Sequence, residues 1–188
     1  MTEGSVTEPQ YVERLHQTLR GTGVAVSVKA VGTGRDPAAV VRKGAELRDW
    51  ALKQRKAYDR CVCLVDVDTH ATLSTAVALA KREGIDLVVS NLKFEVWLLW
   101  HVTDVRGSRS SRELDELMAK HGLLRGKHLA PSFPVDQVQR AEATAARVHP
   151  ELSIGDVGED PSSTMPHLVE LLRHGIRDTA RQDRDSGR

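Results

Sequence analysis

Two apolar periods alternate along this chain, one of about 3.6 residues and one of continuous short runs, and their alternation predicts the fold class. Cys61-Val62-Cys63-Leu64-Val65 is an unbroken apolar run that ends in Asp66-Val67-Asp68. It reads as a buried strand that delivers acid from its C-terminal end. Val24 to Val31 and Ile85 to Ser90 read as two further strands. Between them lie helical stripes. Thr7 is placed to cap a first helix, with Glu8 and Pro9 in its first turn, Val12, Leu15 and Leu19 as its apolar stripe, and Gly21 as its stop. Gly32 to Asp36 reads as a loop. Asp36 then caps a long helix that opens with Pro37 and runs to about Tyr58, and a third helix spans Leu73 to Glu83, ended by Gly84. Asn91 leads into Phe94 to His101, a helix apolar nearly all round and therefore expected to be buried.

Strands that alternate with helices imply a parallel sheet with right-handed crossovers. After Val102 the pattern changes. Residues 106–112 (RGSRSSR) form a basic, Gly/Ser-rich loop, and helices are expected at about 112–121, 135–148 and 162–176, with Leu168, Leu171 and Leu172 packing the last. The charged stretch from Arg177 has no apolar face and is expected to be disordered. The chain thus divides into an α/β core (1–102), a helical extension packed on it (103–176) and a tail (177–188), with no internal repeat. A domain of this class usually begins with a strand, whereas here a helix starts a few residues after Met1. Either the sheet begins at Val24 or its first strand is missing.

Composition adds little to this picture, but it excludes some classes. With 188 residues, 40% apolar and 28% charged, the chain can bury a real core. A formal net charge of +1 gives no global field for nucleic acid or membrane, so any such contact must rest on local clusters. Cys61 and Cys63 lie at i and i+2 of one strand, poorly placed for a disulfide and too few for a zinc site. Reduced core cysteines, no signal peptide and no apolar run near 18 residues predict a soluble cytoplasmic protein.

The candidate chemistry sits on the acidic strand. Side chains at i and i+2 face one side, so Asp66 and Asp68 can share a pocket. Two carboxylates held close repel unless a cation or proton lies between them, and a hard divalent ion such as Mg2+ suits the pair. The plainer alternative is two solvated aspartates that end a strand and cap the next helix. Glu95 is a lone carboxylate inside FEVWLLW; it must be paired, protonated or set on the helix edge, and Asn91, four residues earlier, can share its face. Against a site role stands simple capping, with Asn91 as the cap and Glu95 beside the positive helix end. His101 and His70 each divide between a structural role and a catalytic one. The 106–112 loop and Lys127-His128 are candidate phosphate contacts, with a solvated loop as the alternative.

Four stretches, in order, resemble the RloB-like family, a branch of the Toprim superfamily found near bacterial restriction and anti-phage genes. Glu3-Gly4-Ser5-Val6-Thr7-Glu8-Pro9 is similar to its EGxxTEP opening, Asp66-Val67-Asp68 to the Toprim DxD, residues 90–101 (SNLKFEVWLLWH) to its SNPxFExWLLLH segment, and Pro161 to Val169 to a late PST…H-LV segment. The chain departs from the pattern twice. Only Met1-Thr2 precedes Glu3 where the family has an apolar strand, which would leave Glu3 unpositioned, and Val67 stands where Arg or Lys is commoner. The resemblance implies a Toprim/Rossmann-like parallel sheet flanked by helices. It also implies a Mg2+ (or Mn2+) site of Glu3, Asp66 and Asp68, with Glu3, Asp66, Asp68 and Glu95 catalytic and Asn91, His70, His101 and Lys127 as supporting or substrate contacts. The function implied is a metal-dependent nuclease acting on RNA or DNA in restriction or anti-phage defence, with a defence-system protein as a partner.

Two other readings compete. One is a Toprim-like module that binds or regulates without catalysis. The other is a haloacid dehalogenase-like phosphatase, in which Asp66 is nucleophile, Asp68 acid/base, and Ser90, Lys127 and residues 155–160 (GDVGED) complete the motif order.

Overall fold

A computed structural model describes residues 1–19, 23–29, 36–67 and 72–175. The element order is α1 (Thr7–Thr18), α2 (Pro37–Lys53), β1 (Val62–Asp66), α3 (Leu73–Glu83), β2 (Asp86–Asn91), α4 (Glu95–Leu99), α5 (Ser111–Lys120), β3 (Leu124–Arg125), β4 (His128–Leu129), α6 (Val138–Val148), β5 (Ser162–Ser163) and α7 (Met165–His174). The tail expected at 177–188 lies outside the described residues, as do Gly21 and the loop positions 30–35.

β1 and β2 pair in parallel, Val62 with Asp86 through to Asp66 with Ser90, and α3 makes the crossover between them. Side chains alternate across the sheet. Cys63, Val65, Leu87 and Val89 face α2 and α3, in a core completed by Ala38, Val40, Val41, Ala76 and Ala80. Leu64 and Val88 face the other way, into a larger core of residues from α1, α4, α5, α6 and α7. The protein is therefore helix, sheet, helix in layers. Ala76 and Ala80, with Gly44 opposite Cys63, keep the first layer thin; the second is thick with Tyr11, Trp97, Trp100 and Phe133.

The sheet is mixed rather than wholly parallel. β5 runs antiparallel to β2, Ser90 opposite Ser163 and Asn91 opposite Ser162, and the strand order is β1-β2-β5. A helix is expected from residue 162, but Thr164 binds β2 through its backbone and its hydroxyl (Thr164 N to Val89 O, 3.0 Å; Val89 N to Thr164 Oγ1, 2.8 Å), so α7 begins only at Met165. Short hydroxyl side chains can turn backbone bonds away from a helix in this way.

Val24–Val31 does not form the expected strand over its described part. Residues 23–29 show period-two burial, with Val24, Val26 and Val28 packed against the thick core, but they form no ladder. Thr2 N–H reaches Lys29 C=O at 3.1 Å. α2 ends at Lys53, short of Tyr58, because Lys56 N–H folds back onto Ala51 C=O. Asp36 does cap it, accepting from Ala38 N–H at 3.0 Å, and takes the Thr72 hydroxyl at 2.6 Å, so one carboxylate ties the starts of α2 and α3. Thr7 is not a cap; its hydroxyl donates to Lys127 C=O at 2.8 Å. With Gln10 and Arg14 on the same face of α1, it fixes the β3–β4 hairpin, an element with no apolar run to announce it.

Gly44 lies at mid-helix, where a methyl group would meet Cys63 Sγ at 2.8 Å. Gly44→Ala should gain helix propensity yet lose more to crowding, a net cost of about 1 kcal/mol in denaturant unfolding. In a Cys63→Ala background the same change should become stabilising, which a double-mutant cycle measures.

Candidate active site

Three residues at the start of the chain do for Glu3 what a full strand was expected to do. Thr2 forms a parallel bridge with Leu64, Leu64 N–H donates to Met1 C=O at 2.9 Å, and Glu3 N–H donates to Leu64 C=O at 3.2 Å. The Met1 ammonium closes the pairing on Val62 C=O at 2.6 Å. Glu3 is therefore positioned, contrary to the expectation drawn from its short lead. It is 9% exposed, and Asp66 N–H points at its Oε2 from 3.4 Å.

Asp66 ends β1 on the same face as Leu64. Its carboxyl is pushed well above the ordinary aspartate range, first by burial and then by the charges of Glu8, Glu95 and Glu3, with Phe94 N–H pulling the other way. Glu95 opens α4 and is likewise raised by burial and by Asp115, against the opposing pull of Lys93. Lys93 Nζ is bonded to Asp115 at 2.5 Å. The structure thus brings together Glu3, Asp66 and Glu95, three of the four carboxylates named from the sequence. The fourth, Asp68, lies outside the described residues, as does His70.

Glu8 is the member that sequence reasoning missed. Its position in the first turn of α1 made it look like a helix-end charge. In the fold its Oε1 takes Gly4 N–H at 2.9 Å, and any side chain at residue 4 would strike that carboxylate. Burial raises its pKa, and Glu95 and Glu3 raise it further. The usable signal was the pairing of a glycine with a glutamate four residues on. Lys93 was missed too, because its neighbours in the same segment are apolar.

The other named residues go elsewhere. Asn91 does not begin a helix; it ends β2, and its Nδ2 holds Gly158 C=O at 2.8 Å. His101 is 1% exposed, bonded to Tyr11 Oη and Trp97 C=O at 3.1 Å each and packed against Trp97 and Phe133. Burial lowers its pKa to about 4, so it is a neutral core residue and is not grouped with the carboxylates. Lys127 is exposed on the β3–β4 turn. In the 106–112 loop Arg106 pairs with Asp104 and Arg112 with Glu116, while Ser108 bonds Asp160. For the phosphatase motif order, Ser90 is buried against Ser163 Oγ at 2.9 Å, and Asp156 caps Ser153 N–H at 2.8 Å.

The donor set of carboxylate oxygens, in which Glu3 and Glu95 raise the pKa of both Asp66 and Glu8, suits a hard divalent cation: such a cluster is most stable with a countercharge inside it. Among the described residues no three of these groups are spaced as a metal ligand set.

A family model for RloB-like proteins matches residues 1–172. The chain belongs to the RloB-like family. No curated protein and no solved structure matches it. This RloB-like protein has no described helix long and apolar enough to cross a membrane.

Two measurements check these electrostatics. Asp66, Glu8 and Glu95 have folded pKa values above their unfolded ones, so their contribution to stability is complete below the ordinary carboxylate range and is lost as pH rises through the raised values. In divalent-free buffer stability should fall toward neutral pH, and Asp66→Asn should raise it there by about 1 kcal/mol. His101 has the opposite sign: its contribution is complete above pH 6.5 and lost as pH falls toward about 4. Its ring should titrate near that value by NMR.

Proposed function

We propose that this RloB-like protein is a Mg2+-dependent enzyme that cleaves phosphodiester bonds in RNA or DNA, built on a Toprim-like core. One observation carries the reading: Glu3, Glu8, Asp66 and Glu95 converge at the carboxyl end of β1, where open α/β sheets place their ligands. A polyanion would not approach four carboxylates unaided, so the cluster calls for a cation.

Glu3 and Asp66 would hold that ion, with Asp68 as the further ligand implied by the family pattern. Bound there, Mg2+ (or Mn2+) would supply charge neutralisation at the phosphoryl oxygens and an acidified water. The chain's own residues do the rest. The Thr2–Leu64 bridge fixes Glu3 against β1. Asp66 Oδ atoms, crowded by burial and like charge, favour a bound cation or proton. Glu95, raised in pKa by burial, would hold a proton at its carboxyl oxygens more readily than an exposed glutamate and could release it to, or take it from, an oxygen of the scissile group. Lys93, whose charge acts on Glu95, is paired with Asp115 and would offer its Nζ to a phosphate oxygen only by giving up that partner. The cytoplasmic, anti-phage setting and a partner from a defence system rest on the family alone.

The test uses the full chain and its Asp66→Ala form with end-labelled RNA and DNA, in Mg2+, in Mn2+ and in EDTA. Cleavage should need the metal, and Asp66→Ala should lower its rate by about 100-fold or more. Glu8→Gln should reduce the rate by about tenfold and shift its pH profile. Equal rates for wild type and Asp66→Ala would remove the enzymatic reading.

A further inference from the structure

The stretch that joins α2 to β1 is exposed without interruption from residue 52 to residue 60. Five large apolar side chains stand exposed among the described residues, and three of them, Trp50, Leu52 and Tyr58, belong to this one turn. Trp50 is 59% exposed and Tyr58 45%, whereas Trp97 and Trp100 are fully buried. Leaving a tryptophan in water when the protein has a thick aromatic core calls for a reason.

Three cations, Lys53, Arg55 and Lys56, lie between the two rings. The neighbouring basic residues are engaged, Arg48 with Glu83 and Arg60 with Asp86. No ion pair with Lys53, Arg55 or Lys56 is formed among the described residues, and Asp59 and Asp49 are the acids of the stretch, Asp49 bound to Arg48. The turn itself is ordered. Gln54 N–H returns to Trp50 C=O at 3.1 Å and Lys56 N–H to Ala51 C=O at 2.9 Å, which closes the helix end and leaves Arg55 at φ +57°. That left-handed position is where a helix end asks for glycine, and a branched-off side chain there costs stability. An arginine in this place sets a cation at the apex of a hydrogen-bonded turn, with an aromatic ring on either side in sequence.

Flat rings exposed beside free cations fit a polyanion whose own rings are accessible. Single-stranded nucleic acid has both features, since its bases can stack on Trp50 and Tyr58 while its phosphates meet Lys53, Arg55 and Lys56. A duplex hides its base faces and matches only the charge. The turn leads into the first residue of β1, whereas the carboxylates gather at the last, about 13 Å along the strand. We propose that the Trp50–Tyr58 turn is a docking site for single-stranded nucleic acid, which anchors the strand several nucleotides from the carboxylates. This rests on the phosphodiester-cleaving reading and gives it a substrate class.

Binding is measured in EDTA, so that no turnover is needed, by anisotropy of a labelled single strand of about 15 nucleotides and of the matching duplex. The single strand should bind the wild-type chain at least tenfold more tightly than the duplex and quench the exposed Trp50 emission. Trp50→Ala/Tyr58→Ala should weaken single-strand binding about tenfold or more with an unchanged melting temperature. Arg55→Gly separates docking from folding: it should raise the melting temperature and still weaken binding. Equal binding by wild type and these variants, a preference for the duplex, or no binding by the wild type overturns the proposal; variants that lose only a protein contact would give the first of these. The cleavage assay is independent. Asp66-dependent cutting with unaltered patch variants removes the docking site alone, and patch-dependent binding without Asp66-dependent cutting removes the enzyme alone.

Discussion

Met1 C=O and Glu3 N–H each share a hydrogen bond with Leu64, and this two-bond parallel pairing sets the geometry of the acidic end of the molecule. It presses Glu3 against the strand that carries Asp66, while α1 brings Glu8 from one side and α4 brings Glu95 from another. Glu3 and Glu95 raise the pKa of both Asp66 and Glu8, and the fold holds these charges through β1, the helix starts and Gly4 N–H. The strain is local. It favours a proton on Asp66 and Glu8, and it makes the crowded carboxylates a cost to stability as pH rises through their raised pKa values.

The layers explain how that strain is contained. Alternation along β1 sends Cys63 and Val65 to the α2/α3 side and Leu64 and Asp66 to the aromatic side. Behind the carboxylates therefore stands a fully buried aromatic core, where Val96, Trp97, Leu98, Leu99 and Trp100 are completely enclosed, Tyr11 meets His101 and Phe133 edge to face, and those two rings pack at a tilt. A wall of this kind fixes the start of α4, and with it Glu95 and Lys93.

Much of this was legible in the chain. The runs at 61–66 and 85–91, the Asp36-Pro37 start of α2 and the Gly84 stop of α3 were readable because each depends on local chemistry. Glu95 was readable as a charge that an apolar helix must justify. What could not be read was decided by neighbours distant in sequence. Residues 23–29 have a strand's alternation and no ladder, since pairing depends on what lies alongside. β5 is two residues long, and its existence depends on β2 accepting Ser162 and Ser163. Thr7 and Asn91 looked like caps until the hairpin and Gly158 claimed them. Glu8 belonged to the site all along, but only Gly4 and the two other glutamates around it show that.

The unequal thickness of the two helical layers has a consequence for how this sequence can drift. On the α2/α3 side the contact surface is mostly alanine, valine, cysteine and one glycine, with Leu87 and Ile85 as its larger members, so most changes add atoms where there is little room. On the other side large rings and leucines can trade volume with one another. Sequence variation among functional descendants should therefore be one-sided, frozen in small residues on one face of the sheet and exploratory on the other. The acidic edge lies on the permissive side, where new chemistry can be tried without disturbing the frozen one.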